Sequence, residues 1–416
     1  MTTASQPDSN IIADLLRPLA DEPNFSVPQL DVSIEPNIDL SNALKAALDS
    51  PEFYPPLSES VFAGDTVAIV LQTDIPHANY LIESIVDYLI STGIELTDIT
   101  LVVTGRTAEN LGIPLSQYEM AEKDKTEGNR SPVISFDFGF QTLNIQVHDP
   151  ENQTGHAYLA ANEEGDPVYV NRTLVDADIV IPIGLPSPGE VNQQQDCIYP
   201  DFSTTSTLYR FSQRKGSFIS RWTEIDLANE ALGAFFTIQI VCGPGDTIRQ
   251  VHSGAKKDAL NSARAATNQL WSLPSPTPSD LCVATIEAQA NDQSWDDFSQ
   301  ALIAASEVTK SESPIVIWSE ISLAPDRNTR KACMSQFEDN ISSKLTKILQ
   351  RVAGIIKDRP VFLKSALPEQ TVEELGLGHL KSVSEILRMA ESHENCLVIR
   401  DAHKTQIKSG DNASIE

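Results

Sequence analysis

Two short polar stretches are the more informative places in this chain to look for chemistry. Thr73-Asp74-Ile75-Pro76-His77 sets a hydroxyl, a carboxylate and an imidazole close together, and Thr104-Gly105-Arg106-Thr107 sets two hydroxyls and a guanidinium around a glycine. A carboxylate near an imidazole suits acid–base work, whereas a cation flanked by hydroxyls suits a phosphate or carboxylate. Thr73, Asp74, Thr104, Gly105 and Arg106 are therefore the expected substrate- or phosphate-binding residues. The competing expectation for the second stretch is a plain polar turn with Thr107 as the helix N-cap.

Histidine is scarce, with seven in the chain. His148-Asp149, in IQVHDPENQTGH, pairs an imidazole with a carboxylate that could orient it, and His156 follows in the same segment. His77, His148 and His156 are the candidate acid–base residues, set against exposed turn histidines with no task. His252, just before a helix, reads as structural, and His379, His393 and His403 sit in exposed-looking contexts. No G-x-x-x-x-G-K-[ST], G-x-G-x-x-G, H-E-x-x-H or G-x-S-x-G occurs, so the common nucleotide, metalloprotease and hydrolase sites are not supported. No metal site is expected.

The elements that must position these residues alternate. VAIVL (Val67 to Leu71) reads as a strand. Asn79 to Ser91 reads as a helix with Leu81, Ile82, Ile85, Val86, Leu89 and Ile90 on one face, and DITLVVT (Asp98 to Thr104) as the next strand. Strand, helix, strand in so short a span is a βαβ unit with parallel strands, whose carboxyl ends carry both polar stretches. SFDFGF, TLNIQVHD and DPVYVNR resemble short strands and DADIVIPIG (Asp176 to Gly184) a strongly apolar one. FFTIQIVCGPGDTIRQVHSG reads as a hairpin feeding a helix from Ala255 to Leu270. SLPSPTPSD (Ser272 to Asp280) is the expected linker; beyond it strands and helices alternate again, with a long helix expected from Thr329 to Ala353.

The expected class is α/β, in two domains with mainly parallel sheets flanked by helices and an active-site-like cleft between them. The expected division is a weakly ordered segment 1–40, an α/β domain 41–271 opening on a short helix at Ser41 to Ser50, the linker 272–280, a second α/β domain 281–403, and a disordered tail 404–416.

The net charge of −28 repels phosphate backbones and anionic lipid, so neither nucleic acid nor a membrane is an expected partner; a small anionic metabolite needs locally concentrated positive charge. The start of the chain has no signal-peptide character, and five scattered cysteines with no C-x-x-C pair argue for reduced thiols and a cytoplasmic protein. Cys242, in FTIQIVC, reads as a buried strand residue.

Beyond these local patterns, an ordered set of segments resembles the lactate racemase family, the nickel-pincer-nucleotide enzymes. ALDSPEFYPPLSESVFAGDTVAIVLQTDIP resembles the family's opening, LVVTG the strand before its catalytic histidine, and VHD with GDPVYVNRTLVDADIVIPIG its most specific stretch. VHSGAKKDAL resembles a fourth segment, so the likeness runs from about Ala43 to Val398. It implies two α/β domains with the active site between them. It also implies hydride transfer between a 2-hydroxy acid and a nickel-bound pyridinium cofactor. Two histidine bases, a cofactor-tethering lysine, a nickel-ligating histidine, and an arginine and lysine for the substrate carboxylate complete the set.

The departures fall on those residues. Ile75 stands where the resemblance places the arginine, and Thr107 where it places a catalytic histidine. LPSPGEVNQQQDCIYPDF, in place of the tethering stretch, has no histidine or lysine, and STTSTLYRFSQRKGSFIS has no histidine, with Arg210, Arg214 and Lys215 its nearby cations. The expectation is a lactate-racemase-like protein without nickel-pincer catalysis that binds a small anionic metabolite or nucleotide. An active 2-hydroxy-acid racemase with rearranged groups and a non-catalytic interaction protein are the alternatives; cofactor and oligomeric state stay open.

Overall fold

The computed structural model describes residues 38–115, 133–138, 141–162, 164–186, 188, 198–213, 218–244, 247–287, 293–334 and 347–408. The chain divides into two compact units, the first made of Pro36–Ser187 and Asn192–Thr267, the second mainly of Asn268–Glu416.

The first unit opens with helix α1 (Leu40–Asp49), strand β1 (Val67–Leu71), helix α2 (Ala78–Ser91), strand β2 (Ile99–Thr104) and the short helix α3 (Gly105–Asn110). Strands β3 (Ile134–Asp137), β4 (Thr142–His148), β5 (His156–Ala161) and β6 (Pro167–Asn171) follow, then α4 (Arg172–Asp176) and β7 (Ile179–Gly184). Helices α5 (Thr205–Gln213) and α6 (Phe218–Ala231), strands β8 (Phe236–Cys242) and β9 (Ile248–Ala255), and helix α7 (Lys256–Leu270) complete the set. Seven strands form one sheet in the order β3-β4-β2-β1-β7-β8-β9, while β5 and β6 form a separate hairpin.

Every residue of β1 is buried, as a central parallel strand covered on both faces requires. It pairs in parallel with β2 on one side and β7 on the other, so the expected βαβ unit is present. Ile69, Leu101, Val103 and Ile183 face one core with Leu81, Ile82, Ile85 and Leu89 of α2. Ala68, Val70, Val102 and Val180 face the other, with Tyr199, Phe202 and Ile225. The strand order reverses between β1 and β7, so the switch point, where open α/β sheets bind ligands, lies at the ends of these two strands.

The second unit contains β10 (Ser272–Pro274), β11 (Leu281–Thr285), α8 (Trp295–Glu307), β12 (Ile315–Trp318), α9 (Arg327–Cys333), α10 (Lys347–Asp358) and β13 (Val361–Lys364). After them come α11 (Glu369–Glu374), β14 (Gly378–His379), α12 (Val383–Glu391), β15 (Cys396–Ile399) and β16 (Gln406–Lys408). Its main sheet is five-stranded and parallel throughout, ordered β14-β13-β12-β11-β15. Ser294 and Asp297 form a capping box at the start of α8, satisfying donors the helix cannot.

Local structure departs from the sequence expectations in several places. Ser272–Pro274, inside the expected linker, is a strand, and its parallel partner is Gln406–Lys408, inside the expected tail. HAYLAA, not foreseen as a strand, is β5. Cys242 is half-buried rather than buried, and His403, expected to be exposed, is half-buried, its ring pushed down to a pKa of about 3 chiefly by burial. The middle of the helix expected from Thr329 to Ala353 lies outside the described residues. No helix among the described residues is long and apolar enough to cross a membrane.

Candidate functional site

The loop after β1 reverses the chain sharply. Asp74 and His77 both adopt the left-handed conformation, at φ 66° and 55°, in which the short polar side chain of Asp is better tolerated than most. His77 is the N-cap residue of α2, yet its side chain makes no capping bond. It is exposed and lines a shallow pocket of about 310 Å³ with Ile38, Leu40, Tyr80 and Ile248.

The end of β2 and the start of α3 meet the first loop through hydroxyls. Thr104 takes extended backbone angles, so its side chain, not that of Thr107, caps α3, accepting from the Thr107 N–H at 3.2 Å. Thr107 is instead buried, its hydroxyl 2.9 Å from that of Thr73 and 2.9 Å from that of Thr104. Asp74 accepts from Asn110 Nδ2 at 3.0 Å and lies 3.7 Å from the Arg106 guanidinium. Gly105 keeps open space where a side chain would stand. Thr73, Asp74, Thr104, Gly105 and Arg106 are thus held on adjoining loops at the carboxyl edge of the sheet.

Two glutamine contacts nearby, one part-buried and one buried, escaped the sequence reading. Gln72 Oε1 accepts from the Leu185 N–H at 2.8 Å, joining the ends of β1 and β7. Gln239, on β8, lies so close to Gly184 that a Cβ there would stand 2.6 Å from its Nε2. The one available signal was a polar residue ending an apolar strand.

His148 and His156 come together, and His77 does not join them. His148 sits at the end of β4 in register with Thr104, but it is buried. Its Nε2 lies 3.1 Å from the Ser203 carbonyl and its Nδ1 3.3 Å from Asn171 Nδ2. His156, also buried, lies 2.7 Å through Nδ1 from the Asn152 carbonyl. The two rings meet edge to face, centroids 5.2 Å apart, with Phe202 also against His148. Burial, aided by His156, pushes His148 down to about 4, and burial lowers His156 as well. Both rings are neutral near pH 7, and their contact leaves no space for a substrate carbon between them.

Among the described residues, the side chains at the matched positions do not fit a nickel-pincer cofactor. The position matching a catalytic histidine is a buried threonine, and the first unit's imidazoles are exposed at the pocket (His77), packed together (His148, His156), or bound to Glu52 and Gln250 (His252). Arg210 is turned to the hairpin, 3.2 Å from the Pro167 carbonyl and 3.7 Å from Asp166. Arg214, Lys215 and most of the stretch replacing the tether lie outside the described residues. No group of three or more His, Cys, Asp or Glu among the described residues is placed to hold a metal.

A mainly parallel sheet with polar residues at the carboxyl ends of β1 and β2, followed by a second, wholly parallel sheet, defines an α/β protein of the doubly wound kind. Among solved structures it has a lactate-racemase-like fold. The lactate racemase apoprotein from Thermoanaerobacterium thermosaccharolyticum matches at a TM-score of 0.59 and 14% identity, over 92% of this chain and 94% of that one. A protein from Thermotoga maritima matches at a TM-score of 0.59 and 14% identity, over 90% of this chain and 100% of its own. No protein-family model and no curated protein sequence matches the chain.

Proposed function

We propose that this chain keeps the lactate-racemase-like fold without its hydride-transfer chemistry and binds a small anionic metabolite or nucleotide at the ends of β1 and β2. The observation that carries this is Thr107. It stands where the resemblance calls for a catalytic histidine, and its hydroxyl is buried between Thr73 and Thr104. A buried threonine hydroxyl does not exchange protons near neutral pH as an imidazole does. Arg106, by contrast, remains half exposed, and its 3.7 Å pairing with an exposed Asp74 is of the weak kind that a ligand carboxylate or phosphate can replace.

An active racemase rebuilt from His77, His148 or His156 is the less supported alternative. A two-base racemase needs bases on opposite sides of one carbon, and His148 and His156 touch each other. Four free cysteines among the described residues suit a reducing compartment such as the cytoplasm.

The test is thermal denaturation of the purified protein against a panel of carboxylates, phosphates and nucleotides, with metal analysis and intact mass alongside. The expected result is a raised melting temperature with at least one anion, lost in Arg106→Ala, and no nickel or covalent adduct. Nickel with a bound pyridinium nucleotide would overturn the loss of chemistry. A panel without any shift would overturn the binding role and favour a non-catalytic interaction protein.

A further inference from the structure

We infer that His148 and His156 form an acid-sensitive latch that fastens the β5–β6 hairpin and the Ile198–Ser203 segment to the sheet of the first unit. The hydrogen bonds fix which nitrogen carries each proton. Asn171 Oδ1 accepts from the Thr173 N–H at 3.0 Å to cap α4, so its Nδ2 is the atom facing His148. His148 Nδ1 must then be the unprotonated acceptor, and Nε2–H donates to the Ser203 carbonyl. His156 donates from Nδ1 to the Asn152 carbonyl, which leaves its Nε2 a lone pair. That atom is buried and unpartnered, as is the Ser203 hydroxyl.

The neutral pair is therefore complete for His148 and has one vacancy at His156. A proton added to His148 Nδ1 would face the Asn171 N–H, donor against donor. One added to His156 would place a charge in a buried site against the other ring, a cost that the Asn152 and Ser203 carbonyls offset only in part. Among the described residues, the carboxylate that favours the charged form of both rings is Asp149, and burial outweighs it. Its Oδ1 accepts from the Glu151 N–H at 2.9 Å. Arg172 is directed at the His156 carbonyl at 2.9 Å, adding positive charge beside the pair. On the covering elements, Asp201 is exposed and Glu224 accepts from the Tyr199 hydroxyl at 2.5 Å.

What the latch holds shares no strand ladder with the sheet, although Val168 and Val170 of β6 lie in one buried cluster with Ala68, Val70 and Val102 of β1 and β2. Among the described strands, β5 and β6 pair with each other and with no strand of the seven-stranded sheet, and His156 and Asn171 are register partners in that hairpin. The hairpin meets the covering segment through the Asn171 N–H to the Phe202 carbonyl at 2.8 Å and a Val170–Ser203 bridge. The Ser203 carbonyl in turn receives His148 from β4. Protonation strains both ends of this chain of contacts, while β1 and β2 hold no member of it.

Hydrogen exchange on the full chain tests this at about pH 7 and about pH 4.5, corrected for intrinsic rates. The expected result is exchange about tenfold faster for hairpin amides at the lower pH, with β1 and β2 still protected, and loss of the change in His156→Gln. Simultaneous loss of protection in hairpin and sheet, or an unchanged pH response in His156→Gln, would overturn it. Should the variant fail to fold, imidazole nitrogen shifts of the wild-type protein decide. Protons on His148 Nε2 and His156 Nδ1 at neutral pH support the latch, and the opposite tautomers or a charged ring overturn it.

Discussion

The hydroxyl of Thr107 lies 2.9 Å from that of Thr73, joining the first turn of α3 to the loop after β1. Thr104 is equally close, and one hydroxyl has a single proton, so Thr107 donates to at most one of the two threonines and accepts from at least one. Thr107→Val keeps the shape but leaves both partners short of a bond. The expected cost is about 1–2 kcal/mol, read as a lower urea midpoint, with Thr107→Ser close to wild type. A valine variant as stable as wild type would show that the bridge contributes nothing.

Asp74 occupies the guanidinium that an anionic ligand would need. Asp74→Asn removes the competing charge while keeping a residue that tolerates the left-handed backbone at φ 66°. For whichever anion raises the melting temperature, calorimetric affinity is expected to rise several-fold, or about 1 kcal/mol. Unchanged affinity in Asp74→Asn would remove Arg106 from the binding site.

Stability is expected to fall in acid through His148. Its pKa is about 4 in the folded chain against 6.5 ordinarily, so between these values the unfolded chain binds more protons and stability rises with pH. The contribution is fully present above about pH 6.5 and is lost as pH falls to about 4, amounting to roughly 3 kcal/mol. Burial lowers His156 too, with the same sign. Urea midpoints at the two ends of the window measure it, and His148→Gln should flatten the profile by that amount. An equally steep profile in the variant would assign the acid sensitivity to other groups.

The sheets were legible where burial leaves a period. VAIVL and DADIVIPIG read as strands because their apolar runs are unbroken, and both are neighbours in the sheet as β1 and β7. The three-residue strands β10 and β16 were not legible, since prolines and polar residues surround them and only pairing across the chain makes them strands. The cap of α3 turned on backbone angles that neither Thr104 nor Thr107 announces in sequence. The site was legible at the level of its loops: both polar stretches do end β1 and β2. The contact between His148 and His156 was hidden because it depends on a covering segment, with Ser203 55 positions from His148.

Gly254 is the position where backbone geometry constrains the first unit most severely. Its φ is +141°, and a Cβ there would stand 2.1 Å from the Glu52 carbonyl oxygen, a backbone atom that cannot swing aside. The same stretch is fastened by the Glu52 N–H to the Ser253 carbonyl at 2.7 Å and the Ala255 N–H to the Glu52 carbonyl at 2.8 Å. Glu52 also reaches His252 at 2.8 Å and Ser262 at 2.5 Å through its carboxylate. Gly254→Ala must therefore push the segment after α1 off β9, breaking several contacts at once, at an expected cost above about 3 kcal/mol. Gly105→Ala, placed where nothing stands within 4 Å, is the control expected to cost less than about 1 kcal/mol. Urea denaturation of both variants checks the contrast, and equal midpoints would mean that α1 is not anchored through Glu52.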